Sequence, residues 1–340
     1  MKKMMAVIAA ALISTTTFSK GEKDVPAFGK VEKADLEMKV CDFDKDAEAM
    51  VLFDVGELYC NLVGDITMEF ERHIRIKILK DKGKRLGDIH LPYYSYKGLE
   101  NIRNLQAQTY NLDETGNMVV SKVEKKLIYE KKINKYRSEQ AFTFPEVKAG
   151  SIIEFKFTQV IYALSLPNWT FQSGIPVKYS RYQLDFPNEI EVYASPLCTL
   201  QYDRKTDSKS NRAIQVYSMK NVPALRDEAY ISCDADYLQR LEIRLQAVNP
   251  PSAPRRSLVS NWPGVIKSLM DHEDFGVQLK RNIPRTADLD EQLKTMNDPY
   301  TKMVTIHNYV RKNMEWNGYD GIWANGGIRA AWKGHKGTTG

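Results

Sequence analysis

Apolar and polar residues alternate along most of residues 40–248, the period-two pattern of strands that bury one face and wet the other. The strongest run is 68–79. There Met68, Phe70, Ile74, Ile76 and Ile78 alternate with Glu69, Glu71, His73, Arg75 and Lys77. The first set is expected on a core and the second in water, and Arg72, which interrupts the apolar set, is expected at a sheet edge. Turn chemistry recurs between such runs. Asp81-Lys82-Gly83-Lys84 follows the first, and Asp113-Glu114-Thr115-Gly116-Asn117 should join a strand ending near Leu112 to one over 118–123. Lys148-Ala149-Gly150 precedes a strand over 151–161, where Ile153, Phe155 and Phe157 alternate with Glu154 and Lys156. Further strands are expected at 179–186, 189–194, 213–219 and 240–248. Many short strands with regular turns predict an antiparallel, sandwich-like layer structure.

The pattern changes at Asn249-Pro250-Pro251-Ser252-Ala253-Pro254, where three prolines in five residues resist helix and ladder alike and mark a linker. Beyond it the signals are helical. Asn261 can cap a helix with Pro263 in its first turn, and Asp298-Pro299 repeats that signature. Met303, Ile306, His307 and Val310 then form a stripe on one helix face. Gly318, Gly321, Gly326 and Gly327 make a glycine-rich loop, and 328–332 can begin another helix. The tail after Trp332, residues 333–340, is glycine- and lysine-rich with no apolar pattern and is expected to be poorly ordered.

Two features at the N-terminus change the picture. Lys2 and Lys3 precede an unbroken apolar run over 4–13, and small residues reach Thr17 and Ser19. That is the layout of a cleavable signal peptide over 1–19, too short to span a bilayer and with no cysteine near the cleavage point for a lipid anchor. An exported protein, periplasmic or extracellular, with no transmembrane segment in the mature chain is therefore expected. The formal charge of +6 is mild for 340 residues, and basic residues are interleaved with acids, which disfavours a nucleic-acid partner. Export would permit disulfides among Cys41, Cys60, Cys198 and Cys233. Pairings 41–60 and 198–233 and four free thiols stand as open alternatives.

Little in the sequence carries chemistry. His73, His90, His272, His307 and His335 are scattered with no metal-ligand spacing, and His307 is expected as a packed core residue. Asp42, Asp44 and Asp46 have the spacing of a calcium loop, but Ala47 stands where glycine is needed and Phe53 where glutamate is needed. The loop at 318–327 lacks a phosphate-binding pattern. No catalytic, cofactor or metal residue is assigned, and no cofactor is expected. Tyr93, Tyr94, Tyr96 and the aromatics at 169–171 are either core and loop anchors or a stacking surface for a peptide or glycan.

The stretch 142–154, Phe142-Thr143-Phe144-Pro145-Glu146-Val147-Lys148-Ala149-Gly150-Ser151-Ile152-Ile153-Glu154, resembles a family of bacterial exported proteins, domain of unknown function family 3857. Trp169, Phe171-Gln172, Pro176-Val177, Tyr182, Asn221-Val222-Pro223-Ala224-Leu225, Glu228 and Tyr230 follow in that family's order, so the resemblance covers about 52–248. It implies a β-domain followed by a transglutaminase-like domain, and 302–332 resembles the opening of one. The cysteine, histidine and aspartate of such a thiol site have no counterpart here, since none of the four cysteines lies near 340. The expected organisation is a signal peptide over 1–19, an antiparallel β-domain over 20–249, a linker over 250–254 and the start of an α+β transglutaminase-like domain over 255–340. The expected role is a non-catalytic scaffold or interaction module with an unidentified protein, peptide or glycan partner. The alternative is the N-terminal portion of a thiol acyl-transferase or peptidase whose site lies beyond residue 340.

Overall fold

The computed structural model describes residues 25–62, 66–162, 165–209, 211–226, 228–231, 233–249, 254–259, 261–324 and 326–339. The expected signal peptide lies outside them. The chain is mainly β, as the alternation predicts. After a one-turn helix α1 (Lys33–Glu37) come β1 (Ala49–Asn61), β2 (Thr67–Ile78), β3 (Asp88–Tyr94), β4 (Glu100–Leu112), β5 (Met118–Lys122), β6 (Tyr129–Lys132), β7 (Arg137–Thr143) and β8 (Ile152–Ile161). Then follow β9 (Trp169–Thr170), β10 (Val177–Pro187), β11 (Ile190–Leu197), β12 (Asp203–Lys209), β13 (Arg212–Val222), β14 (Arg240–Val248) and β15 (Arg256–Ser257).

Eight strands form one sheet in the order β12-β13-β10-β1-β2-β8-β4-β5. Its neighbours run antiparallel except β1 and β10, which pair in parallel from Val51↔Val177 to Tyr59↔Asp185. Period-two patterning sets faces but not strand direction, so this central parallel pair was not legible. Two smaller sheets, β3-β7-β6 and β11-β14-β15 with β9 beside β14, supply the second layer. The main core lies between the layers. It joins Phe70, Ile74 and Ile76 of β2 and Ile153, Phe155 and Phe157 of β8 to Phe142, Phe144, Trp169, Leu241 and Ile243. Burying each such side chain contributes roughly 1.5–3 kcal/mol.

The other face of the large sheet is not simply wet. The segment 25–47 crosses it, and Leu36, Cys41 and Ala47 pack there on Met50, Leu52, Phe53, Val55 and Tyr110. Consequently Arg75 and Lys77, expected in water, are 1% and 0% exposed, and Glu154 of β8 is also 0% exposed. Arg72 is not at an edge either, because β2 lies between β1 and β8. It sits on the core face in a two-pronged bond to Asp54 (3.0 and 2.7 Å), with its guanidinium 4.9 Å above the Trp169 ring. Burial works against that charge, but the Asp54 carboxylate more than offsets it and holds the guanidinium above its ordinary pKa.

The helical segment begins as its caps predict. Asn261 accepts from the Gly264 amide (3.0 Å) at the start of α2 (Trp262–Asp271). α3 (Ala287–Lys294) follows, and Asp298 accepts from the Thr301 amide (2.8 Å) at the start of α4 (Pro299–Asn313). β16 (Glu315–Trp316), α5 (Ile328–Gly334) and β17 (Lys336–Gly337) complete it. Two expectations are corrected here. No residue of α4 is buried: Met303, Ile306 and Val310 are 58%, 42% and 40% exposed, and His307 is exposed, not packed. Up to Thr339 the tail is held in place. β17 pairs in parallel with β16, the Thr338 hydroxyl donates to the Trp323 carbonyl (3.0 Å), and the Thr339 hydroxyl donates to the Gly321 carbonyl (3.2 Å). Backbone pairing and threonine hydroxyls need no apolar pattern, which is why the composition gave no warning of it. Among the described residues no helix is long and apolar enough to cross a membrane.

Candidate functional site

The densest group of ionisable side chains lies where the segment 25–47 crosses the large sheet. β2 and β8 pair with His73 opposite Lys156 and Arg75 opposite Glu154. This register brings residues about 80 apart in sequence to one place. Glu154 Oε1 receives Arg75 Nη2 (2.7 Å), Arg75 Nε (3.2 Å) and His73 Nε2 (2.8 Å). Glu154 Oε2 receives the Gly29 amide (3.1 Å) and the Tyr110 hydroxyl, which itself accepts from the Gln108 amide. Arg75 Nη2 also donates to the Lys30 carbonyl (2.8 Å), and its guanidinium lies 4.8 Å over the Phe53 ring. The His73 ring meets Phe28 and Phe53 at 5.8 and 4.8 Å.

Burial pushes the Glu154 carboxyl up, but the His73 hydrogen bond, the Arg75 charge and the Tyr110 hydroxyl outweigh it and hold the group below its ordinary 4.5. The carboxylate is therefore ionised at neutral pH with both oxygens fully engaged. Such a group neither takes a proton from a substrate nor attacks one; it ties strands to the crossing segment. Lys77 does the same a turn of sheet away, donating to the carbonyls of Leu36 and Gly150, each at 2.6 Å. Burial, helped by the Lys39 charge and opposed by Asp35, lowers its pKa from 10.5 to about 8.

A second cluster joins the β-layers to the helical segment. Tyr94 stacks on Tyr136 at 5.9 Å, and Tyr96 meets Tyr136 edge-on at 5.0 Å. The Tyr136 hydroxyl donates to Asp274, and Lys135 Nζ reaches Glu273 (2.7 Å) and Asp274 (3.2 Å). Asp274 is 5% exposed, and its carbonyl accepts from the Ala324 amide (2.8 Å). The tyrosines read as anchors or as a stacking surface are thus anchors. Trp169 and Phe171, each 1% exposed, are core. Lys135 and Asp274 drew no attention in the sequence, since each is one charge in an ordinary loop and only their meeting gives them a role.

The thiols are unpaired: Cys41 and Cys60 are buried, Cys198 is half-buried and Cys233 is exposed. Burial pushes the Cys60 thiol up to about 11, against the lowering effect of Arg212, and burial also raises Cys198. Neither is primed as a nucleophile at neutral pH. Asp44, from the acidic run that resembles a calcium loop, instead accepts from the Asp46 amide (3.2 Å) and pairs with Arg226 (3.0 Å). Among the described residues no three metal-binding side chains converge.

Residues 64–226 match the model of a family described as a domain of unknown function with solved structure, DUF3857, in support of the resemblance carried by 142–154 and the motifs after it. No curated protein sequence matches the chain. Among solved structures, a Parabacteroides distasonis protein described as a candidate protease has a TM-score of 0.59 at 13% identity. That likeness covers 86% of this chain and 56% of the other, so the chain spans little more than half of that protein's length. At this identity the likeness speaks to the fold. An M1 zinc metallopeptidase of Deinococcus radiodurans matches with a TM-score of 0.29 at 9% identity, over 58% of this chain and 42% of that one, and carries no argument.

Proposed function

We propose that this chain is an exported, non-catalytic β-scaffold over 20–249 which, beyond the 250–254 linker, holds the opening of a transglutaminase-like domain over 255–340. The observation that carries this reading is the joint at Tyr136. A carboxylate of the helical segment, Asp274, is buried against a tyrosine and a lysine of the β-layers, with a second acid, Glu273, on the same lysine. A linker that merely tethered two independent bodies would not need a buried carboxylate hydrogen-bonded from one to the other. The fold likeness to a larger candidate protease, which runs past the β-layers, supports the same arrangement. Under this reading, the chain's own task is to hold the helical segment against the β-layers and to contact a partner.

Two measurements test it. The 340-residue protein, given a fluorogenic peptide or a glutamine-donor and amine-acceptor pair, is expected to produce no turnover. Turnover abolished by Cys233→Ala or Cys198→Ala would overturn the scaffold reading. Export is tested by expressing the gene from Met1 and sequencing the N-terminus of the protein outside the cytoplasm. A start near residue 20 is expected, and a start at Met1 would defeat it.

A further inference from the structure

The two end strands of the eight-stranded sheet differ in chemistry. β12 carries Asp203, Arg204, Lys205 and Asp207, the kind of charged row that keeps a free edge from pairing. β5, at the other end, reads Met118-Val119-Val120-Ser121-Lys122, and its first three residues are 46%, 42% and 41% exposed. Its backbone is open on one side. The Asp113 amide donates to the Asn117 carbonyl (2.9 Å), and the Val123 amide donates to the Ala107 carbonyl (2.9 Å). Bonded and non-bonded pairs alternate along an antiparallel ladder. Val119 and Ser121 therefore bond to β4, while Met118, Val120 and Lys122 turn their amides and carbonyls outward. Among the described residues no strand meets them. An apolar run on an edge without guarding charges at its centre is a pairing site.

We propose that β5 pairs antiparallel with β5 of a second copy of this chain, about a two-fold axis through Val120, and so joins two eight-stranded sheets into one. The strand is its own complement in that register. Val120 stands opposite Val120, Met118 opposite Lys122 and Val119 opposite Ser121, so an apolar contact sits on the axis and no like charges are opposed. The outward groups of Met118, Val120 and Lys122 then exchange about six backbone hydrogen bonds. Beyond the strands, the same register carries the acidic turn Asp113-Glu114 of each copy toward Lys125 and Lys126 of the other, where the chain leaves the sheet. That charge match selects a second copy over an unrelated extended peptide, which would have to supply both a valine-centred strand and an acidic turn beside it.

The test is sedimentation equilibrium on the 340-residue protein from about 5 to about 500 µM. The mass is expected to rise from one chain toward two. Val120→Lys sets two ammonium groups face to face across the axis and should weaken association at least about tenfold, with circular dichroism matching the parent because the position is exposed. Register is read by cross-linking with the exposed Cys233 replaced by serine. Val120→Cys should then give a disulfide-linked dimer under mild oxidation, since facing residues of a bonded pair stand about 5.5 Å apart at Cα. Met118→Cys should give far less, because Met118 faces Lys122 and not itself. Several results would overturn the proposal. They are a single-chain mass up to about 500 µM, association unchanged by Val120→Lys, equal weakening by Thr206→Lys on β12 or by Met303→Lys on α4, or equal cross-linking at positions 118 and 120.

Discussion

Replacing Glu154 by glutamine isolates the latch between the large sheet and the crossing segment. The change keeps shape and one acceptor but removes the only carboxylate bonded to Arg75 among the described residues, and the Arg75 side chain is 1% exposed. It also turns a donor toward the Gly29 amide and the Tyr110 hydroxyl, both of which need an acceptor. Breaking a buried pair from one side costs about 3–5 kcal/mol, because the surviving charge is left without compensation. Against a typical total of about 5–15 kcal/mol, that is a large fraction of the protein's stability. Urea unfolding followed by tryptophan fluorescence reads it, and Trp169 in the main core supplies a buried reporter. Glu154→Gln/Arg75→Met should cost less than Glu154→Gln alone, since no orphan charge remains. The same linkage appears in pH. Glu154 is held below its ordinary 4.5, so the unfolded chain binds its proton first on acidification. Its contribution is complete above pH 4.5 and is lost as pH falls through the folded value. A cost below about 1 kcal/mol, or a double variant equal to the sum of the singles, would refute the argument.

Other outcomes follow from the same geometry. Gly56→Ala should destabilise by about 1–3 kcal/mol, because the added methyl would stand 2.5 Å from the Trp169 ring and 3.0 Å from Tyr182; an unchanged urea midpoint would count against this packing. Tyr136→Phe should cost about 1.5–3 kcal/mol at the joint, where the lost hydrogen bond is to a charged group; limited proteolysis should then cut within 255–340 sooner than in the parent, with the β-layers still intact. Lys77 has a folded pKa of about 8 against an ordinary 10.5, so the unfolded chain holds more protons between those values. Stability of the parent relative to Lys77→Met should therefore rise from pH 8 to 10.5, and a flat difference would contradict the buried ammonium.

The joint and the latch share a feature that explains why neither was legible in sequence. Arg75 and Glu154 are 79 residues apart, and Tyr136 and Asp274 are 138 apart. Each looks like an ordinary polar residue until the fold brings its partner. One signal did point to a covered second face: residues 49–53 of β1 are apolar without a break, as in strands buried on both sides. It implied a cover but did not say which segment supplies it.

What the sequence determined by itself is what residues a few positions apart can decide. Alternation set the strands and the core face of β2, glycine and aspartate set the hairpin at 113–117, and Asn261 and Asp298 set the helix starts. These depend on backbone geometry and short-range hydrogen bonds, which the chain carries locally wherever it goes. The tertiary structure decided which polar face is wet, which strands run in parallel and which charges are paired. Those outcomes depend on desolvation: water withdrawn by the segment 25–47 leaves Arg75, Lys77 and Glu154 to satisfy one another and the nearby backbone, and no local pattern encodes where that segment lands.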